Sequence, residues 1–347
     1  MKNRRHFLQT LTSLVVASLC AAAPALAPAT PTAAKEVAQV RLAQQYGIGY
    51  LPLIVVEQNK LIEKHAKAAG LGDVEVSWTK FAGGNVMNDA LLSGSLDFAS
   101  GGIAPAVTLW AKTRGTKGEV KLVSALDSMP LLLNTRNPAV RTIKDFTEKD
   151  KIALPAAKVS IQAVTLQMAA EKAFGEGQQE RLDPLTVSLS HPDGQTALLS
   201  GAGEISAQFS APPFQYQQLE KPEIHTVLNS YDVLGGPSSF NVVWTTAAFR
   251  EANPKLYAAV FQALAEAEQI INQDKAAASA LYLRASKDKG TVADVEKIVT
   301  DPQVEFTLTP RNVTKYSDFL YKIGSIKQKP DTWKDLFFPE VHGLAGS

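Results

Sequence analysis

The sequence predicts an α/β protein with two similar lobes, each of which is a mostly parallel sheet flanked by helices. Three observations support this fold class. Strands and helices alternate along the chain, one segment recurs at a fixed spacing, and 347 residues suffice for two domains. With 45% hydrophobic and 20% charged residues, the composition is that of a folded globular protein and excludes collagen-like or disordered chains.

The N-terminal segment, residues 1–34, has the charged, apolar and small-residue regions of an export signal in the usual order. Basic residues precede the apolar stretch from Leu14 to Ala23, and alanines follow it. The stretch from Arg4 to Leu8 resembles the core of a twin-arginine signal, which favours that export route slightly over the general secretory route. We expect the mature protein to begin between residues 28 and 35 and to be periplasmic.

Cys20 is the only cysteine of the chain and lies within the export signal. Leu19 stands where a lipoprotein signal has a small residue, so no lipid anchor is expected. Once the signal is removed, disulfides, thiol nucleophiles and zinc–cysteine sites are excluded together. The histidines of the mature chain are His65, His191, His225 and His342. Their spacing matches no metal motif, so the sequence predicts no metal, no cofactor, and surface or hydrogen-bonded roles for the four rings.

Charge and motifs exclude several classes of function. The signal contains three of the 35 basic residues and none of the 34 acidic ones, so the mature chain has 32 basic and 34 acidic residues and a net charge of −2. This balance argues against nucleic acid as a partner. The chain has no G-x-S-x-G elbow and no P-loop, and Pro52 occupies the third glycine position of a dinucleotide motif that Gly47 and Gly49 begin. These two glycines therefore indicate a tight turn.

Strand and helix patterns alternate from residue 40 to residue 99. The predicted elements are a strand over Val40 to Gln44, a helix from Pro52 toward Gly70, a strand over Val74 to Trp78, a helix capped by Asn85 and stopped by Gly94, and a strand over Leu96 to Ala99. Such alternation predicts parallel strands joined by helices.

The pattern resumes after residue 135. The predicted elements are a strand over Lys151 to Leu154, a helix from the Ser160 cap to Gly175, a strand over Leu185 to Leu189, a helix within His191 to Ser200, and helices within the alanine-rich stretch from Asn253 to Arg284. Trp333, Phe337 and Phe338 are predicted to pack back onto one lobe.

A repeat supports the two-lobe prediction. Ala90 to Gly94 recurs identically as Ala197 to Gly201, an offset of 107 residues, and at the same offset Ala104-Pro105 corresponds to Ala211-Pro212. Agreement of separate positions at one offset argues against chance. Because ligands of open parallel sheets bind beyond the carboxyl ends of the strands, we expect the two Ala-Pro loops to face each other across a cleft.

Four segments of the mature chain carry the motifs of a known family. They are the run that starts at Trp78 and contains F-A-G-G-N-V-M and A-L-L-S-G-S-L-D-F, and the segments Gly101 to Pro105, Thr142 to Leu154, and Thr245 to Pro254. These segments resemble periplasmic substrate-binding proteins of nitrate-, sulfonate- and taurine-type ABC importers. The resemblance covers essentially the whole mature chain and is more specific for the family than for the ligand.

The resemblance implies a type II periplasmic-binding-protein fold with a ligand cleft between two lobes. It places the chain crossings near residues 131–136 and 238–246, so the first lobe is expected to comprise residues 35–133 and 240–347, and the second lobe residues 134–239. The implied function is that of an extracytoplasmic solute-binding component, which captures a ligand by hinge closure and delivers it to an ABC permease and its ATPase. A monomer is expected.

Five predicted loops precede helices and face the cleft, where backbone N–H groups and helix dipoles favour a small organic anion such as a sulfonate or carboxylate. The candidate ligand-binding residues are Tyr50, Gly84, Asn85, Ile103, Ala104, Lys158, Ser160, Ser210, Ala211 and Phe214. Asn85 and Ser160 also fit helix caps, Tyr50 and Phe214 also fit a core, and Lys158 is either a surface charge or the counter-ion of the anion. Because these loops contain no arginine, neutral and zwitterionic ligands stay open.

Alternatives to an importer component are an extracytoplasmic enzyme, and a ligand-sensing or pyrimidine-related protein of the same fold. The wider family includes a thiamin-pyrimidine synthase with a cysteine-rich motif, and a mature chain without cysteine departs from that pattern. The sequence has no evident nucleophile–base pair or metal constellation, so it predicts a binding protein that is not an enzyme. A sensor that presents ligand to a receptor stays open.

Overall fold

The structure is a computed structural model that describes residues 35–347, so the predicted export signal lies outside the described residues. The strands of this part are β1 (Gln39–Gln44), β2 (Glu75–Lys80), β3 (Ala99–Gly102), β4 (Val120–Ala125), β5 (Asp127–Ser128), β6 (Leu132–Thr135), β7 (Lys151–Leu154), β8 (Thr186–Ser188), β9 (Ile205–Phe209), β10 (His225–Asn229), β11 (Asn241–Thr246) and β12 (Glu305–Phe306).

The α-helices of the same part are α1 (Leu51–Gln58), α2 (Leu61–Ala68), α3 (Gly84–Leu92), α4 (Ile103–Thr113), α5 (Ile161–Phe174), α6 (His191–Ser200), α7 (Phe214–Leu219), α8 (Ser230–Leu234), α9 (Ala247–Ala252), α10 (Pro254–Gln273), α11 (Lys275–Ser286), α12 (Val292–Val299), α13 (Thr314–Lys322) and α14 (Trp333–Leu336). None of the helices in residues 35–347 combines the length and apolarity that a membrane crossing requires.

Two main sheets organise the described residues. The first consists of the two-stranded sheet β2–β1 and the three-stranded sheet β3–β11–β4, and an isolated parallel bridge between Leu42 and Phe98, just before β3, joins them in the order β2–β1–β3–β11–β4. The second sheet has the order β8–β7–β9–β6–β10. In both sheets the first three strands are parallel, and the fourth is antiparallel to its two neighbours. We call the parts built on these sheets the first lobe and the second lobe. The predicted two-lobed α/β fold class is confirmed.

The chain crosses between the lobes twice. The first crossing lies between β4 and β6 and contains β5, which pairs with β12. The second crossing lies between β10 and β11 and contains α8. Each sheet therefore receives its fourth strand, β11 or β6, directly after a crossing. The lobe boundaries at residues 133 and 239 stay a prediction.

The recurring sequence segment occupies the same place in both lobes. Helices α3 and α6 are each followed by a glycine with positive φ, 73° at Gly94 and 64° at Gly201. The strands that come next, β3 and β9, are the middle strands of their sheets. Glycine adopts this left-handed conformation without the penalty that a side chain brings, which explains the helix stop in both copies.

Several predicted elements have the predicted bounds. β7 covers the predicted strand, and α5 begins after Ser160, whose Oγ accepts a hydrogen bond from the N–H of Ala163 at 3.2 Å. Gly175 ends this helix with a φ of 106°. The C-terminal aromatic residues also pack as predicted. The ring of Phe338 contacts that of Tyr257 edge-on, with 5.4 Å between the ring centroids, and the backbone N–H of Phe338 donates to the carbonyl of Leu122 in β4.

The prediction that Asn85 caps a helix is wrong. Gly83 is the N-cap of α3, and Asn85 is the second residue of the helix, with an exposed side chain. Gly83 approaches the second lobe so closely that a Cβ there would lie 3.1 Å from the carbonyl oxygen of Pro155. A residue with a side chain does not fit this approach easily, so the cap falls on the glycine.

Two further element predictions differ from the structure. The helix expected from Pro52 toward Gly70 is divided into α1 and α2, because Lys60 between them has a left-handed φ of 52°. The strand expected over residues 96–99 begins only at Ala99. Both errors concern boundaries, where local sequence patterns carry little information.

Candidate functional site

A small cavity lies between the two lobes. Its volume is about 10 Å³, which is about the space that one water molecule needs. The residues that line the cavity come from both lobes and are Gln45, Tyr50, Gly84, Gly102, Pro105, Pro155, Ser160, Ile161, Gln162, His191 and Phe240. The cleft is therefore nearly closed.

Five helices begin at this cavity. Tyr50 is the N-cap of α1, Gly102 of α4 and Ser160 of α5, while Gly84 and His191 are the first residues of α3 and α6. Three of these helices belong to the first lobe and two to the second. The first N–H groups of a helix lack intrahelical acceptors, and the helix dipole adds positive potential at that end. The arrangement concentrates positive potential without a lysine or arginine among the lining residues.

Close contacts hold the lobes together around the cavity. A Cβ at Gly102 would lie 2.7 Å from Cγ2 and 2.8 Å from Cβ of Ile161 in the other lobe. The N–H of Ile48 donates to the carbonyl of Pro212 across the cleft at 2.9 Å. Because a methyl group at position 102 would meet a Cβ, which no side-chain rotation moves, this closed arrangement requires glycine there.

His191 is the one ionisable side chain that the second lobe contributes to the cavity lining. Its Nδ1 lies 3.4 Å from Ser210 Oγ, its Nε2 lies 3.5 Å from the side-chain nitrogen of Gln162, and its ring stacks on Phe214 at 5.7 Å. Burial lowers the pKa of His191 from 6.5 to about 4. The imidazole is therefore neutral at pH 7 and makes only long hydrogen bonds.

Buried amide side chains support the second-lobe wall behind His191. The side-chain nitrogen of Gln208 donates to the carbonyl oxygen of His191 at 3.0 Å, and Gln218 donates to Gln208 at 2.5 Å. Asn134 donates to Gln218 at 2.9 Å. Because buried polar groups are costly when unpaired, this chain of hydrogen bonds fixes the start of α6.

The first-lobe wall is supported by a buried carboxyl group. Asp127 in β5 is fully buried, and its Oδ2 accepts a hydrogen bond from the side-chain nitrogen of Asn241 at 3.1 Å. Burial raises the pKa of Asp127 well above its ordinary value. Burial, and secondarily the nearby Asp127, also raises the pKa of Tyr50. These groups connect the cavity to both chain crossings.

The structure brings most of the candidate ligand-binding residues together. Tyr50, Gly84 and Ser160 line the cavity, and Ser210 and Phe214 contact His191. The candidates Ile103, Ala104 and Ala211 are fully buried and are not among the residues that line the cavity.

Two candidates lie apart from the cavity. Asn85 is exposed on α3, although Gly84 beside it lines the cavity. The side chain of Lys158 is 63% exposed, and its Nζ is 3.9 Å from Oδ2 of Asp183, a residue outside the cavity lining.

Sequence reasoning missed the role of several lining residues, of which the polar ones are Gln45, Gln162 and His191. A signal for two of them was present. Gln45 directly follows β1, at the carboxyl edge where ligands of parallel sheets bind, and His191 follows the N-cap Ser190 of a predicted helix. Gln162 lies in the first turn after the predicted Ser160 cap, which indicates its position but not the direction of its side chain.

A wider groove of about 680 Å³ lies outside the cavity between the same lobes. Gln45 lines both spaces, and Phe214 forms part of the groove wall. Its lysines are Lys80, Lys221, Lys287 and Lys289, and its carboxylates are Glu220, Asp288 and Asp294. Gln217 of the second lobe donates to Asp288 across this groove at 2.9 Å. The groove therefore adjoins the cavity at Gln45.

Within residues 35–347, no group of three histidine, cysteine, aspartate or glutamate side chains is arranged to hold a metal ion.

The fold and the interlobe cavity define the class of periplasmic-type binding proteins. The model of the NMT1-like family matches residues 33–284, which is more than half of the chain. The chain therefore belongs to the NMT1-like family. No curated protein matches the chain.

Solved structures with the same fold include binding proteins of known ligands. The alkanesulfonate-binding protein SsuA from Xanthomonas axonopodis pv. citri, bound to MOPS, is 20% identical, with a TM-score of 0.65 over 84% of this chain and 96% of that one. The periplasmic nitrate-binding protein NrtA from Synechocystis PCC 6803 is 14% identical, with a TM-score of 0.66 over 86% of this chain and 84% of that one.

The periplasmic aliphatic sulphonate-binding protein SsuA from Escherichia coli has the same fold as well. It is 16% identical, with a TM-score of 0.61 over 87% of this chain and 92% of that one. At these identities the likeness establishes the fold.

Proposed function

We propose that this protein is the extracytoplasmic solute-binding component of an ABC importer and captures a small organic anion. The observation that carries the proposal is the convergence of five helix N-termini on one interlobe cavity. The positive ends of helix dipoles, together with first-turn N–H groups that have no protein acceptor, bind sulfonate, carboxylate or nitrate oxygens without any cationic side chain. The family and the described ligands of the sulfonate- and nitrate-binding neighbours support the same class of ligand.

The size of the cavity defines how capture works. A space of about 10 Å³ holds no sulfonate or carboxylate, so the ligand enters while the lobes are apart, and closure surrounds it. A ligand that contacts both lobes stabilises the closed state because it gains the second set of contacts only there. We infer a monomer that presents its closed form to a membrane permease with its ATPase.

We propose that the site binds its ligand and does not transform it. The Ser210–His191 pair resembles a nucleophile and base, but the second nitrogen of His191 faces the amide of Gln162. A catalytic histidine is usually oriented by a carboxylate, which this contact does not supply.

A thermal-shift screen with matched pairs tests the ligand class. Each anion is compared with its neutral amide at constant ionic strength: methanesulfonate with methanesulfonamide, and benzoate with benzamide, with nitrate tested against chloride. A ligand that binds only the folded protein raises the melting temperature. At a ligand concentration one hundred times Kd, the free energy of unfolding increases by about 2.7 kcal/mol. We expect stabilisation by at least one of the two organic anions and not by its neutral partner. Stabilisation by the amides alone would contradict the proposal.

A further inference from the structure

His191 differs from every other side chain that lines the cavity. Apart from the phenol of Tyr50, it is the only ionisable lining group in the described residues. Its ring nitrogens make contacts of 3.4 and 3.5 Å, which lie at the long limit for hydrogen bonds. A ligand oxygen that enters the cavity can therefore replace either contact at little cost.

The protein keeps this ring neutral for two physical reasons. Burial removes the water that would solvate an imidazolium, and this desolvation lowers the pKa of His191 to about 4. The ring also stands on the first residue of α6, at the positive end of a helix. Both effects oppose a positive charge, and the attraction of a bound anion in the same cavity can offset them.

We propose that His191 is a ligand-contacting residue that takes up a proton when an anion enters the cavity. The inference rests on the proposed function, because it requires an anionic ligand. It also refines that function: the ligand is recognised by an ion pair that exists only in the complex. The protein then needs no permanent cation in the cleft and keeps no buried charge when it is empty.

The charged groups around the ring do not supply the missing counter-ion. Asp193, on the same helix, accepts a short hydrogen bond from Ser190. On the elements packed against the ring, α5 presents the neutral Gln162 and α7 presents Phe214. Across the cavity, the first lobe presents Tyr50, with Asp127 behind it.

Lys158, on the loop before α5, pairs with Asp183, which is not among the lining residues. Lys80, Lys221 and Glu220 line the outer groove, where water screens their charges. The contacts of the ring in the described residues are with Ser210, Gln162 and Phe214, so an anion in the cavity would be its first anionic partner.

Proton uptake makes affinity depend on pH in a defined direction. If the complex binds the proton more tightly than the free protein, affinity rises as pH falls through the pKa of His191 in the complex. The gain is at most about tenfold per pH unit, and it ends below the pKa of the free protein. We expect at least about tenfold tighter binding at about pH 5.5 than at about pH 7.5.

Isothermal titration with nitrate and with methanesulfonate measures both quantities. The titrations are made at the two pH values in cationic buffers such as bis-Tris and piperazine, because sulfonate buffers are themselves candidate ligands. Buffers with different ionisation enthalpies report the number of protons taken up. The test variant is His191→Gln, which keeps a hydrogen-bonding side chain but cannot accept a proton. The matched control is His342→Gln. The ring of His342 contacts backbone carbonyls of Lys334 and Phe337 and does not line the cavity.

Each outcome decides the question. Binding that tightens at low pH with proton uptake in the wild type and in His342→Gln, but not in His191→Gln, supports the inference. Binding that is independent of pH, or equally pH-dependent in His191→Gln, overturns it and leaves the proposed function standing. Failure of both probes and of every anion in the thermal-shift screen overturns the proposed function, and this inference with it.

Discussion

The two lobes have sheets of the same strand order, yet they contribute different chemistry to the cavity between them. The first lobe contributes mainly close-packed backbone and ring surfaces, at Gly84, Gly102 and Tyr50. The second lobe contributes polar side chains, at Ser160, Gln162 and His191. The two similar lobes therefore both place helix N-termini at the cavity, and they differ in the side chains that they add to its wall.

This division teaches which residues control which property. The absence of side chains at Gly83 and Gly102 sets how closely the lobes approach, so substitutions there should affect closure. The side chains of the second lobe set what the closed cavity recognises, so substitutions there should affect selectivity and pH dependence. The predictions below test this difference.

The largest expected effect is on acid stability and concerns His191. The folded-state pKa of about 4 lies below the ordinary value of 6.5, so the stability that His191 contributes is complete above pH 6.5 and is lost as pH falls through 4. The full difference amounts to about 3 kcal/mol. Chemical unfolding at a series of pH values should show this loss in the wild type and not in His191→Gln, whereas His342→Gln should follow the wild type. Parallel profiles for the wild type and His191→Gln would show that the ring is not buried in neutral form.

A second prediction concerns closure from the first lobe. Gly102→Ala places a methyl group against Cβ and Cγ2 of Ile161 in this closed arrangement, and separation of the lobes would relieve the contact. We expect anion affinity to fall at least about tenfold, equivalent to about 1.4 kcal/mol, with little change in melting temperature of the free protein. Calorimetric titration measures the affinity. Gly203→Ala is the matched control, since a Cβ there meets nothing within 4 Å. Equal affinities for both variants would mean that position 102 does not limit closure.

A third prediction concerns Asp127 and a change of about 1 kcal/mol in the free energy of unfolding. Its pKa is raised by burial, so its contribution to stability is present at low pH and is lost as pH rises through the folded-state pKa. Asp127→Asn removes the charge and keeps the shape. The free energy of unfolding of the variant, relative to that of the wild type, should therefore increase with pH in denaturant titrations. A relative stability that decreases with pH would show that the carboxylate is stabilised in the folded protein.

The smallest effect is expected at Lys158. Its side chain is largely exposed and directed toward Asp183, outside the cavity lining. Lys158→Gln should change anion affinity by no more than about twofold, because an exposed charge is screened by water and salt. A loss of tenfold or more in titration would identify Lys158 as the counter-ion of the ligand and reduce the part assigned to helix N-termini.

Much of the fold was predictable from local patterns. The helix that Ser160 caps and Gly175 ends, and the repeat at Gly94 and Gly201, depend on capping and left-handed glycines, which act within a few residues. The prediction that Asn85 caps a helix failed because a tertiary contact, and not the local preference for asparagine, determines where the helix begins. The approach of Gly83 to Pro155 decides the cap, and no local pattern records that contact.

The location of the site was more predictable than the identity of the side chains that line it. Sequence reasoning placed it at loops before helices, which is where Tyr50, Gly84 and Ser160 lie. It did not identify Gln162 or His191, because their roles depend on how α5 and α6 are oriented across the cleft. Side-chain direction across two separate sheets follows from packing between distant segments, which a single sequence does not show.

Capture by closure over the five helix N-termini is the central claim, and a distance measured across the groove tests it most directly. Nitroxide labels on cysteines at the exposed positions Lys221 and Lys289, which line the groove from opposite lobes, report the separation by dipolar electron paramagnetic resonance, with Cys20 replaced or removed. The account predicts a long, broad separation in the free protein, and a short, narrow one once a binding anion saturates it. In the Gly102→Ala variant, the distance distribution should stay closer to that of the free protein at the same anion concentration. A separation that is unchanged while the anion saturates the wild type would contradict capture by closure.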